Sequence, residues 1–264
     1  LKAGKIDIKN EYSKFYDLFY GKNSKDGKSV ADIISDNFFD VHFRGTCLSL
    51  DEFNAMYGFY FVKQPTQFDI DYLVSFCEYI YNFISVLHEW FFFGSFDKTT
   101  YLSQIYRVVE AIGYITSHED GFVIFVPKDN VAVAVSEMEI IPEEVSYKVI
   151  SYNHHSMKGN LEGKRGTLVR LAYLLEPKDD ILENLDKTFK KDLFYLFNNL
   201  GLRHNNLDPD GKKYKEFVAQ MLPEELEHWY DETYRMCLLA FLRLEHIDRK
   251  RDFDALKAKI EGTK

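Results

Sequence analysis

Cysteine and proline are scarce in this chain, with three Cys and six Pro in 264 residues. Cys47, Cys77 and Cys237 are odd in number, far apart and set among apolar residues. No disulfide framework is expected from them, and no CxxC or Cys/His zinc spacing exists. Buried, reduced thiols are the expectation, and with them a reducing, cytoplasmic setting. Six prolines and 14 glycines leave little room for disordered linkers, and the chain shows no internal repeat and no low-complexity run. Neither GxSxG, nor a Walker loop, nor GxGxxG occurs, so a hydrolase elbow and the common nucleotide folds have no support. His88-Glu89 does not open a zinc-protease helix, because Phe92 stands where the second His belongs. No signal-peptide pattern is visible. Positive charge is also short, with 33 Lys/Arg against 42 Asp/Glu and a net charge of −9. A protein that coats DNA is basic overall, so that role is not expected.

What the chain has in excess is aromatic surface: 23 Phe and 18 Tyr, which supply a large buried area per residue. The run Tyr72–Phe93 is apolar enough to raise a membrane reading. Glu78, His88 and Glu89 lie inside it and no basic flanks border it, so it reads as a core helix. The charge is uneven along the chain. Residues 148–215 hold 13 Lys/Arg against 9 Asp/Glu, whereas residues 1–147 hold 12 against 22. A local basic face in an acidic protein leaves room for one specific RNA or nucleotide contact.

Helical periodicity dominates. The spacing predicts helices over 8–20, 28–38, 49–61, 68–93 and 97–112, with Ser49 and Glu52 forming a capping box and Asp97 capping the fifth. Tyr114–Ser117, Phe122–Pro127 and Val131–Val135 read as a three-stranded antiparallel meander, with Glu-Asp-Gly and Lys-Asp-Asn as its turns. Helices resume over 142–154, 160–176, 178–185 and 187–200, then over 212–219, and a long pair follows from Pro223. The fold class expected is mainly α, a helical bundle with a small antiparallel β meander near the middle. Its divisions are an aromatic-rich helical lobe over 1–112, the meander over 113–136 and a helical bundle over 137–264.

The segment with the most chemistry is Asp192–Asn206, DLFYLFNNLGLRHNN. A helix ends at Gly201, which suits a left-handed cap, and the turn presents Arg203, His204, Asn205 and Asn206. Arg203 is suited to clamping a phosphate and His204 to taking a proton from a ribose hydroxyl, which makes them the catalytic candidates. Asn198, Asn199, Asn205 and Asn206 are candidates for holding a base or sugar. His154, His155, Lys158 and Arg165 join them as substrate-binding candidates on the same basic face, beside Lys164 and Arg170. The structural alternative is a helix C-terminus whose carbonyls are capped by Arg, His and Asn. No metal and no cofactor are expected. The His pair has no third ligand at a useful spacing, and Asn206–Gly211 has Phe217 where a calcium loop needs its closing Glu. Arg44, near His42, reads as packing on an aromatic side chain or pairing with a nearby Asp.

The helix followed by Gly201-Leu202-Arg203-His204, after a helical front and the β piece GFVIFVPKDN, resembles the AbiJ-type abortive-infection proteins of bacteria over roughly residues 105–245. That resemblance implies a HEPN-like helical bundle that dimerises and acts on RNA without metal, in phage defence. It makes Arg203 the phosphate-binding residue. The usual HEPN motif is Arg, then four to six intervening residues, then His, and no Arg in this chain has a His at that spacing. Two functions from different classes therefore stand side by side: a metal-independent endoribonuclease effector, and a non-catalytic helical module that binds a ligand or protein on a degenerate HEPN-like dimer. RNA and a second copy of the chain are the expected partners, with no membrane.

Overall fold

The computed structural model describes residues 6–22, 27–87, 97–119 and 121–262. The chain divides into two compact units, Leu1–Lys128 and Asp129–Lys264. Each has its own apolar core.

The first unit is built on α1 (Ile8–Tyr20), α2 (Val30–Asp36), α3 (Leu50–Tyr57), α4 (Ile70–Val86) and α5 (Lys98–Ala111), followed by β1 (Tyr114–Glu119) and β2 (Phe122–Pro127). Helix α4 is buried on most of its circumference, from Leu73 to Ile84. Its Phe76 and Tyr79 meet the inward stripe of α1, with Tyr12 and Phe76 centroids 5.0 Å apart and Phe19 and Tyr79 5.8 Å apart. Each such ring pair is worth about 0.5–1.5 kcal/mol beyond the area it buries. The run from Tyr72 is thus a core helix, and its residues 88–93 lie outside the described residues. Among those described, no helix is long and apolar enough to cross a membrane. The three cysteines are unpaired and buried, and burial pushes the thiols of Cys77 and Cys237 well above their usual range.

The sheet has two strands. β1 and β2 pair antiparallel from Tyr114 opposite Pro127 to Glu119 opposite Phe122. A hairpin alone is marginal in water, and α4 supplies what a third strand would have given. Asn82 accepts the Val123 N–H at 2.8 Å and donates to the Val123 carbonyl at 2.7 Å, while Glu78 accepts the Phe125 N–H at 2.6 Å. The predicted third strand, Val131–Val135, is instead helix α6 (Asn130–Ser136). The physical reason is Asp129, whose carboxylate accepts from the N–H groups of Val131 and Ala132. Lys-Asp-Asn is therefore a helix N-cap rather than a hairpin turn, and the cap outweighs the β-branched preference of the valines.

The second unit continues with α7 (Glu143–Ser151), α8 (Leu161–Leu175), α9 (Asp179–Leu185), α10 (Lys187–Asn199), α11 (Glu216–Ala219) and α12 (Pro223–Glu261). The expected pair of helices beyond Pro223 is one helix of 39 residues, because nothing between Glu224 and Glu261 interrupts it: no Gly, no Pro. Its core face runs through Leu226, Tyr230, Tyr234, Cys237, Phe241 and Leu244, and packs with Leu168, Leu171 and Leu175 of α8 and Phe197 of α10. The helix expected over 212–219 is reduced to Glu216–Ala219, because the loop before it spends its backbone on other contacts. At α3, Ser49 caps the Glu52 N–H, but the Glu52 carboxylate returns to the N–H of Leu48 rather than of Ser49.

Replacing Asn82 by Ala leaves the Val123 N–H and C=O without partners, and a loss of about 2 kcal/mol is expected. Urea unfolding checks it. An unchanged midpoint would show that water serves that strand edge equally well.

Candidate functional site

The turn after α10 is held by contacts from three other segments. Leu193, Phe194 and Phe197 bury the inner face of α10, and Gly201 ends it at φ +73°. A Cβ at Gly201 would be strained by that dihedral angle. Three carbonyls of this end are taken by residues beyond the helix or by side chains from other elements. Phe197 accepts the Arg203 N–H at 3.0 Å, Leu200 accepts the Tyr230 hydroxyl at 3.3 Å and Gly201 accepts the Arg165 Nε at 2.7 Å. Asn206 closes the loop from inside. It is fully buried, accepts the Gly201 N–H on Oδ1 at 3.0 Å and donates from Nδ2 to the Lys213 carbonyl at 2.8 Å. Asn206 and Arg165 are thus committed to the backbone of the turn, and Asn206 has no surface to offer a substrate.

Arg203 leans back over the protein. Its Nε lies 2.5 Å from the Glu176 carboxylate just beyond α8, its Nη1 donates to Asn198 Oδ1 at 3.4 Å, and its guanidinium sits 5.8 Å from the Phe194 ring centre. The positive charge expected to meet a phosphate is matched by Glu176. The remaining asparagines are also engaged: Asn199 donates to the Tyr195 carbonyl and Asn205 to Asp208 Oδ2. His204 is half-buried and, among the described residues, makes no side-chain hydrogen bond or ion pair. The turn therefore collects Glu176, Asn198 and Arg203 into one cluster with His204 beside it.

His154, His155 and Lys158 lie in the connection between α7 and α8. His154 is buried and caps a short 3-10 turn, accepting the Ser156 N–H on Nδ1. Its ring centre is 4.0 Å from that of His155, and Lys158 is exposed. Lys164 is not part of a basic face. It is only 5% exposed, and its Nζ sits 2.7 Å from both Glu227 and Asp231 of α12. The ammonium also lies 5.4 Å from the centre of the Tyr152 ring, which stacks on Tyr234 with centroids 3.9 Å apart. Glu227 further accepts the Gly159 N–H at 2.8 Å. Hydrogen bonds from Lys164 and Gly159 hold the Glu227 carboxyl below the usual carboxylate range. Burial, reinforced by Asp231, raises the Tyr152 phenol far above its usual value.

Sequence reading alone did not find this cluster. Its signal was the i, i+4 pair Glu227 and Asp231 on one face of a long helix, but its lysine lies more than sixty residues away in the chain. Arg44, by contrast, takes the aromatic alternative, 5.1 Å from the Phe39 ring centre, with Nη1 donating to the Cys47 carbonyl.

Comparison with family models, curated proteins and solved structures gives no match to this chain. The reading of the site thus rests on its own chemistry.

Removing one member of a buried ion cluster leaves its partners uncompensated. Lys164→Ala is expected to cost about 2–3 kcal/mol, and Lys164→Met less, because it keeps the packing on Tyr152. The depressed Glu227 carboxyl contributes stability that is present above the ordinary carboxylate range and lost as pH falls through its lowered value. The wild type should therefore lose more stability than Lys164→Met between about pH 6 and about pH 3. Equal acid profiles would remove the ion pair from the account.

Proposed function

We propose that the chain is a non-catalytic helical binding module, and that its Arg-His turn is a structural corner. The observation that carries this reading is the ion pair of Arg203 with Glu176, 2.5 Å long. A guanidinium already matched by a carboxylate, an asparagine and an aromatic face gains little from a phosphate and loses its present partners. The other groups a nuclease would need are also committed, with Arg165 on the Gly201 carbonyl and Asn206 inside the loop. Binding rather than chemistry is also favoured by the apolar side chains the second unit leaves in solvent, among them Tyr173, Tyr195, Phe217 and Leu222. Where such side chains join into one patch they mark a surface that meets other molecules.

A second reading keeps the chain as a metal-independent endoribonuclease effector of bacterial phage defence, on a HEPN-like bundle. One observation favours it. His204 stands beside Arg203 on a turn held rigid by Asn206, and its ring has no polar partner among the described residues. A general base needs that freedom and that rigidity.

Incubation of the purified protein with total bacterial RNA in EDTA separates the two. The binding module leaves RNA intact in the wild type, Arg203→Ala and His204→Ala alike. In that reading Arg203→Ala loses about 1 kcal/mol, or roughly 2–4 °C in melting temperature, because Phe194 and Glu176 lose their cover. Discrete cleavage that disappears in both variants, with melting temperatures unchanged, would establish the nuclease instead.

A further inference from the structure

Helix α12 outlasts its bundle. Its last buried residue is Leu244, and the helix continues to Glu261. From Arg249 onward every described side chain is exposed. Yet this arm is not polar all round. Phe253, Leu256 and Ile260 are 52%, 51% and 66% exposed, and their spacing of three and then four residues puts them on one side of the helix. The same spacing runs back through Arg249 and His246, both exposed, to Leu242, which packs against the unit's own core, and to Leu239, which is exposed. Those positions fall on the a and d sites of a heptad repeat, and from His246 to Ile260 they stand exposed as a seam along one side of the arm, apolar at Phe253, Leu256 and Ile260.

We propose that this seam pairs with the same seam of a second copy, as a parallel two-stranded coiled coil. The charges beside the seam select both the partner and the orientation. One flank is basic, with Lys250 and Lys257 on the arm, while Arg243 before them is already paired with Asp186 of its own unit, 3.0 Å away. The other carries Glu245 and Asp252, with Lys259 at its far end. In a parallel pair, each residue of the second flank faces the first-flank residue five places on in the other copy. Glu245 then faces Lys250 of the second copy, and Asp252 faces Lys257, and both pairs form twice. In an antiparallel pair the basic flank lies against itself, which sets Lys250 and Lys257 against the basic flank of the other copy. Lys257 already folds over the Phe253 ring, 4.7 Å from its centre, as a side chain flanking a seam does when its stem covers the apolar residue. Arg249, at a d site, is paired with Glu245, which draws its charge out of the seam toward the acidic flank.

This inference is independent of whether the Arg203 turn cuts RNA. Its test is the mass of the full chain by light scattering across a concentration series, from micromolar to near-millimolar. A dimer is expected, with a dissociation constant raised at least tenfold by Phe253→Asp together with Leu256→Asp. Because both residues are exposed, circular dichroism of that variant should show its helicity and melting otherwise retained. Lys257→Glu should weaken the dimer, and adding Asp252→Lys to it should restore the dimer. Spin labels on Glu261→Cys report orientation, since the native cysteines are buried. In the parallel pair they lie within about 20 Å, whereas an antiparallel pair centred near Lys250 separates them by roughly 30 Å or more at 1.5 Å of rise per residue. A monomer at every concentration, or a dimer indifferent to the Asp substitutions, would overturn the proposal. A long label distance would overturn the parallel arrangement.

Discussion

The outer edge of β2 and the C-terminal carbonyls of α10 face the interior, where a backbone group without a partner costs free energy comparable to a lost hydrogen bond. In both places side chains from other elements supply the missing partners. Asn82 and Glu78 of α4 stand in for a third strand at Val123 and Phe125. Arg165 of α8 and Tyr230 of α12 hold the carbonyls of Gly201 and Leu200, and Asn206 takes the Gly201 N–H. Each unit therefore has a polar junction inside an apolar core, and the surrounding helices hold their places partly through it.

The same constraint governs the reading of function. Arginines and asparagines near a helix end are what a phosphate site needs, and they are also what a helix end needs. Here the second demand is met first. The amide of Asn206 is used on both sides and the guanidinium of Arg203 is matched by Glu176. What the turn leaves unengaged is His204, and a lone imidazole is a base without a phosphate clamp. The most deeply buried ammonium among the described ion pairs lies elsewhere, at Lys164 between Glu227 and Asp231 beside the stacked rings of Tyr152 and Tyr234.

Much of the fold was legible from the chain. The spacing of Tyr12, Phe15 and Phe19 shows α1, the turn at Gly121 shows the hairpin, and Asp97 and Gly201 mark a helix start and a helix stop. These are local signals, carried by residues within one or two turns of each other. Val131–Val135 misled because valines favour strands only in the absence of a stronger local instruction, and Asp129 is such an instruction. The site was less legible. Arg203 and His204 were correctly placed on a turn, but the sequence separates Arg203 from Glu176 and Arg165 from Gly201 by dozens of residues, so nothing local announces those pairs.

The sequence by itself determined the mainly helical class, the aromatic cores and the unpaired cysteines, because each depends on periodicity or composition along a single element. Only the tertiary structure decided which polar groups are free to act. Whether an arginine meets a carboxylate, a carbonyl or solvent depends on which distant segment packs beside it, and the long-range packing of α8, α10 and α12 settles that for Lys164, Arg165 and Arg203.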